Sequence, residues 1–295
     1  MESSEAALRW SQRQRLAFIE RRLYWEGTLS RQDLVDRFGI SAPQASMDVH
    51  RYDELVPGNV EFDRSRKVYV PSTGFAPRYF EPSARNYLSQ LLLRKDEAAP
   101  ALESWLGREP DFDAIPRVRR KMDPETLRPI VACIHQRRAI RVLYQSMTSP
   151  EPTWREIAPH ALVYDGARWH ARSWCYRKSR FTDFVLARML ALRETRPSGI
   201  DSSLDGEWHQ FFTMELAPHP DLPEGQRRAI EMDFGMTEGQ IGIEMRLCLT
   251  EYFERHYGLD IERESLPLWR RQVVLNNRDA LMAIRAEFGG SSNPA

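Results

Sequence analysis

Arg168, His170 and Arg172 recur at every second position just after the turn signal Asp165-Gly166. A period of two places such residues on one face of a strand. Three cations side by side repel one another, so a face of this kind suits water or an anion. Tyr144, Ser146, Arg155, His160 and Arg188 lie in neighbouring strand-like runs and join His170 and Arg172 as a candidate ligand-binding set. Guanidinium forks grip phosphate bidentately, and hydroxyl and imidazole groups add donors. Plainer roles stand beside this one: His160, after Pro159, can satisfy a backbone carbonyl, and Arg188 can pair with Asp183 or Glu194. Ser146, His160 and Asp183 are also the residue types of a hydrolytic triad. No nucleophile-elbow sequence surrounds that serine, and no HExxH, phosphate-loop or dinucleotide fingerprint occurs. Cys133, Cys175 and Cys248 are odd in number and far apart, which fits reduced thiols and no zinc site. The reading is a protein that is not an enzyme, with no cofactor and no metal.

A second set of residues points to nucleic acid. Ser41 begins a helix-like run in which Ala45, Val49 and Tyr52 recur at inward-facing spacing. That leaves Gln44, Ser46, Met47, His50 and Arg51 outside. Gln44 can pair with adenine and Arg51 with guanine or phosphate, and Ser46 can meet either. Ser41 offers a hydroxyl and a backbone N–H to phosphate at the helix start. Downstream, Arg64, Arg66 and Lys67 sit on a polar turn between two short extended runs, Val60 to Phe62 and Lys67 to Val70. Cations there contact backbone or minor groove and set affinity more than sequence preference. Any one of these residues alone reads equally well as a solvated side chain.

The elements that must position these groups follow from spacing and caps. Leu16, Ile19 and Leu23 predict a helix over 14–24; Ser30 with Asp33 caps a second, and Gly39 stops it. Three helices and an Arg-tipped hairpin make a winged helix-turn-helix pattern over residues 1–75. Residues 76–126 read as a helical linker. Within it Leu88, Leu91 and Leu92 form an apolar stripe, and Arg117 to Lys121 a basic run. Four strand-like runs, 139–145, 154–164, 167–176 and 181–193, predict a strongly bent antiparallel sheet or barrel in a unit spanning 127–197. Residues 197–206 read as a linker. From 207 to 290, strand-like runs (211–216, 243–249, 272–275) alternate with helix-like ones (225–232, 250–257, 278–288), which predicts a small α/β domain. The tail from Gly289 reads as disordered.

At 295 residues the chain is long for one domain, and 42% hydrophobic and 11% aromatic content suffices for packed cores. The formal net charge is +0, so any basic surface must be local. No apolar run approaches the ~20 residues a bilayer span needs, which argues for a cytoplasmic protein with no membrane partner.

The central unit resembles a WYL domain. Trp169-His170-Ala171 occupies the position of that family's namesake tripeptide, and Phe184 with Arg188 its terminal aromatic-x-x-x-Arg pattern. The runs YQSMTSPEPTWREIAPHAL and DGARWHARSWCY look most like the regulators found beside phage-defence islands of the BREX and CBASS types. The resemblance implies an α+β multidomain chain: a winged helix-turn-helix, a helical linker, an Sm-like WYL domain and a C-terminal α/β dimerisation domain. It further implies a homodimeric repressor that binds a double-stranded DNA operator and is released by an anionic effector, a nucleotide or oligonucleotide. Carried over by position, the pocket would use Ser146, His160, Arg172 and Arg188, with Trp169 in the core. Three departures stand out, the first being that His170 and Ala171 replace the aromatic and aliphatic members of the tripeptide. Thr182 occupies a position where many relatives carry a cation, which Arg180 would have to replace, and Met47 stands where relatives often have Arg. A nucleic-acid-sensing adaptor without an operator is the alternative reading.

Overall fold

The computed structural model describes residues 10–95, 105–116, 118, 120–260 and 267–288. The chain divides into two compact units, Met1–Arg117 and Val118–Ala295.

In the first unit, α1 (Trp10–Glu26), α2 (Arg31–Phe38) and α3 (Ala42–Leu55) precede the hairpin of β1 (Val60–Asp63) and β2 (Val68–Pro71). Local chemistry sets each boundary. The Ser30 hydroxyl accepts from the Asp33 N–H while Asp33 accepts from the Ser30 N–H, a reciprocal capping box at the start of α2. Gly39 ends α2 at φ 61°, a left-handed conformation that costs a side-chain-bearing residue strain. Ser41 caps α3, its hydroxyl accepting from the Gln44 N–H. Leu16, Ile19, Leu23, Leu34, Ala45, Val49 and Tyr52 close one core. Leu29 exchanges both backbone hydrogen bonds with Tyr69 and so adds a one-residue rung to the hairpin. The buried Glu20 carboxylate accepts from the backbone N–H groups of Arg78, Tyr79 and Phe80 and from the Tyr52 hydroxyl, pinning the segment after the hairpin to α1.

Beyond the hairpin, α4 (Ala84–Lys95) lies within the expected linker, whose last residues already belong to the next helix. Residues 105–116 are irregular, and Gly107 and Arg108 are held by backbone N–H donation to Glu26. Leu91 is buried, whereas Leu88 and Leu92 are exposed. The basic run from Arg117 falls partly outside the described residues, as does the tail from Gly289.

The second unit opens with α5 (Pro124–Gln136), capped by Asp123. A five-stranded antiparallel sheet follows: β3 (Arg138–Tyr144), β4 (Thr153–Tyr164), β5 (Trp169–Cys175), β6 (Arg180–Val185) and β7 (Met189–Pro197). Its order is β6-β5-β4-β3-β7. The sheet is open, with β6 and β7 at its two edges. The single run expected over 181–193 is two strands, because a 3-10 turn at Leu186–Arg188 carries the chain from one edge to the other. Ile130, Cys133, Val142, Tyr144, Ile157, Ala171, Cys175 and Phe184 pack between the sheet and α5. Trp169 is not in this core. It lies at the end of β5, half exposed, and packs against its cross-strand partner Tyr164 at 5.0 Å.

After a one-turn α6 (Gly206–His209) come β8 (Phe211–Pro218), α7 (Glu224–Phe234), β9 (Ile241–Arg246), α8 (Thr250–Tyr257), β10 (Val273–Leu275) and α9 (Arg278–Glu287). The three strands form an antiparallel sheet in the order β10-β8-β9. Met214, Leu216, Ile230, Leu247 and Leu281 are buried in its core.

Candidate functional site

The set expected to face DNA stands on α3 and the hairpin. The buried positions Ala45, Asp48, Val49 and Tyr52 orient α3. Asp48 takes a bidentate hydrogen bond from Arg15 of α1, at 2.6 and 3.1 Å, which sequence periodicity did not reveal. On the other side, Ser41, Met47 and His50 are exposed, and Gln44, Ser46 and Arg51 are half-buried. Gln44 donates to Asp48, the Ser46 hydroxyl to the Ala42 carbonyl, and Arg51 to Glu54, whose carboxylate also lies 3.4 Å from His50. At the hairpin tip the Asp63 carboxylate accepts from the N–H groups of Ser65 and Arg66, a turn that leaves Arg64, Arg66 and Lys67 exposed. Helix and tip thus present one uncharged-to-basic face and one rich in arginine and lysine.

The expected effector set does not converge as a whole: His160 and Arg172 share Asp205, and Arg188 bonds to Tyr144. Ala171 and Cys175 face the α5 core, so His170 and Arg172, between them, face the opposite side of the sheet. Arg155 pairs with Val142 in register, which puts it on the core side, and its Nε is buried without a hydrogen-bond partner. Tyr144 is buried, its hydroxyl accepting from the Val185 N–H, and burial raises its pKa while Arg188 opposes the shift. The Ser146 hydroxyl is engaged with Thr148. His170 faces the Tyr252 ring at 5.3 Å, with Asp165 3.7 Å from Nε2, and burial lowers its pKa. Ser146, His160 and Asp183 bond to different partners, so they do not form a triad.

What the structure does bring together is a buried ionic cluster that the sequence reading missed. Arg172 is fully buried and donates from Nε and Nη2 to both oxygens of Asp205, each at 2.8 Å. Its Nη2 also donates to Glu207 at 2.7 Å, and Nη1 lies 3.6 Å from Asp183. His160 Nε2 donates to Asp205 at 2.8 Å. Tyr252 of α8 donates to Asp183 at 2.8 Å, leaving the other Asp183 oxygen buried without a hydrogen bond. The cationic face is therefore met by carboxylates: Asp205 from the stretch read as a linker, Glu207 just beyond it, and Asp183 from β6. A bulge between Pro159 and Ala161 turns β4 there, and β5 and β6 pair Arg172 with Asp183.

Electrostatics follow from burial and pairing. Burial opposes ionisation of Asp205, but hydrogen bonds from Arg172 and His160 prevail and hold its carboxyl down at about 2. Burial likewise works against the charge on Arg172, and the Asp205 hydrogen bond with the fields of Asp183 and Asp205 overcomes it. Asp183 goes the other way: burial raises its pKa against the pull of Arg172. Burial pushes the nearby Cys248 thiol up to about 12, so it is an inert thiol here.

The fold and these two surfaces define a class: winged-helix regulators that carry a WYL domain. Residues 11–93 match the BrxR transcriptional regulator winged helix-turn-helix domain, residues 125–194 the WYL domain, and residues 211–281 the BrxR transcriptional regulator C-terminal dimerization domain. The chain is 36% identical over 276 residues to the DNA-binding transcriptional repressor CapW of Escherichia coli strain KTE188, covering 94% of this chain and 92% of that one. It is 34% identical over 293 residues to CapW of Stenotrophomonas maltophilia, covering 98% of each. The chain belongs to the CapW family. Proteasome accessory factor B/C of Arthrobacter aurescens, 17% identical, aligns over 92% of this chain and 45% of its own at a TM-score of 0.29, a likeness too slight to define a fold. Among the described residues no helix is long and apolar enough to cross a membrane, and no cluster of three or more His, Cys, Asp or Glu could hold a metal ion.

Proposed function

We propose that this protein is a homodimeric, sequence-specific transcriptional repressor of a phage-defence operon, released from DNA when an anionic nucleotide or oligonucleotide binds its WYL domain. The observation that carries the reading is the pairing of α3 with the basic hairpin tip. Buried Ala45, Val49 and Tyr52, with Asp48 clamped by Arg15, fix one face of α3 and leave Gln44, Ser46, Met47, His50 and Arg51 for the major groove. Ser41 sits where a phosphate would meet the helix start, and Arg64, Arg66 and Lys67 supply the neighbouring backbone contacts. Base contact by Arg51 requires it to leave Glu54, an exchange of one solvated ion pair for a base or phosphate. The curated relatives carry the same role in their names, DNA-binding transcriptional repressor. A two-fold dimer reads an inverted repeat whose half-sites lie one or more helical turns apart.

The effector half of the proposal draws on His160 and Arg172, two members of the expected set that share the Asp205 carboxylate. Nuclease protection across the gene's upstream region tests the operator. Two related protected half-sites in inverted orientation are expected. Uniform protection of any DNA, or none, contradicts the reading.

A further inference from the structure

We infer that Asp205 and Glu207 are a resident anion on the effector site, a built-in competitor that a phosphate-bearing ligand must displace to bind. The inference rests on the reading of the Arg172 cluster as the effector site and adds how that site is coupled to the rest of the chain. Three features of the cluster carry it.

The first is charge. One guanidinium faces Asp205, Glu207 and Asp183, with His160, Tyr252 and Cys248 as the other polar neighbours. A bound phosphate carries about −1.5 to −2 charge at neutral pH. Asp205 and Glu207 together present the same charge to the same donors. The exchange of two carboxylates for one phosphate therefore leaves the buried guanidinium compensated, whereas an empty site would not.

The second is geometry. The Nε and Nη2 edge of Arg172 is forked onto two oxygens, with a third oxygen on Nη2. Planar forks of this kind match phosphate oxygens as well as carboxylate oxygens. Glu207 keeps 22% of its side chain exposed, while Arg172 and Asp205 are sealed. Entry is thus on the Glu207 side. The Asp183 oxygen with no hydrogen bond shows that the cluster has no donor to spare, so an incoming phosphate must take its donors from a carboxylate already there.

The third is connectivity. Arg172 and His160 belong to the WYL sheet, but Asp205 and Glu207 lie in the stretch that leads into the C-terminal dimerisation domain. Asp205 caps α6, accepting from the Trp208 N–H. Trp208 packs against His160 and under Arg246 of β9, and Gln210 accepts from the Leu247 N–H. Displacing Asp205 therefore moves the lead into β8 at the same moment that the ligand seats. Effector binding and rearrangement of the dimerisation domain become one event.

The test uses full-length protein with pyrophosphate and a short 5′-phosphorylated single strand as probes, titrated calorimetrically. Asp205→Asn keeps an oxygen to cap α6 but removes the competing charge, and Glu207→Gln does the same at the more exposed position. Each is expected to bind a probe about tenfold more tightly than the parent, because the open site is no longer a minor state. Arg172→Gln, added to either, should abolish binding. Amide exchange over residues 200–210 should rise when probe is added to the parent and be raised already in Asp205→Asn. Parent and variants binding a probe equally through Arg172 would overturn the resident-anion inference and leave the effector site standing. No binding by parent, Asp205→Asn or Glu207→Gln, each folded and melting cooperatively, would overturn both.

Discussion

Replacing Arg172 by Met removes the one strong cation in a cluster of buried carboxylates. Asp205 and Asp183 are each under a tenth exposed, so neither recovers full hydration in the folded chain. An uncompensated buried charge of this kind costs about 3–5 kcal/mol. Replacing Asp205 by Asn removes the partner instead. Its carboxyl sits at about 2 against an ordinary 3.8, a preference for the charged form of about 2.5 kcal/mol. Added as independent effects, the two substitutions would cost about 5–8 kcal/mol. The geometry forbids that sum. Once Arg172 is gone, the Asp205 charge is a liability, and Asn at that position relieves it. The double variant should therefore be more stable than Arg172→Met alone, with a coupling energy of about 3 kcal/mol or more. Urea unfolding of the four proteins, followed by far-UV circular dichroism and compared at constant slope, measures the cycle. Additivity within about 0.5 kcal/mol would show that Arg172 and Asp205 do not hold each other.

Other expectations follow from the same structure. Asp205 has a depressed folded-state pKa, so its contribution is present above 3.8 and lost as pH falls toward about 2; the raised Asp183 works in the opposite sense, its contribution fading as pH rises. Acid unfolding curves of parent and Asp205→Asn should accordingly converge at low pH, and a constant gap down to pH 2 would contradict the assignment. Gly39→Ala should lower stability by about 1–2 kcal/mol, because a Cβ is forced into the left-handed conformation at φ 61°. Thermal denaturation reads that loss, and an unchanged melt would mean the turn can rearrange. Arg51→Ala should relax base preference at one operator position by about 1–3 kcal/mol, whereas Arg64→Ala should weaken binding to every sequence and flatten the salt dependence by about one ion. Identical losses on operator and random DNA for both variants would remove Arg51 from the base-reading set.

Local signals carried much of this fold. The caps Ser30 and Ser41, the stop at Gly39 and the inward spacing of Ala45, Val49 and Tyr52 each act within one turn of a helix, and the structure holds all of them. The C-terminal strands and helices were legible for the same reason: their apolar periodicities are short-range. What escaped was long-range. Nothing near Arg172 in the chain announces that Asp205, 33 residues away, meets it. The polar run before Gly206 has the composition of a linker, and only the fold shows its Asp205 carboxylate buried against a cation. Alternation along β5 correctly put His170 and Arg172 on one face, but it could not say what covers that face. Tyr144 and Arg155 were grouped with them because residue type alone does not distinguish the two sides of a bent sheet. Trp169 was placed inside by family position, yet at the end of its strand the ring is half exposed and packs on Tyr164. Arg15, Leu29 and Glu20 likewise act through partners distant in sequence.

On the proposed function, α3 and the basic hairpin read a defined DNA sequence. Fluorescence anisotropy with the labelled upstream region and with the same bases scrambled, at about 150 mM salt, tests it directly. The account predicts a preference of at least about a thousandfold for the native sequence. Equal affinity for the two DNAs would contradict it.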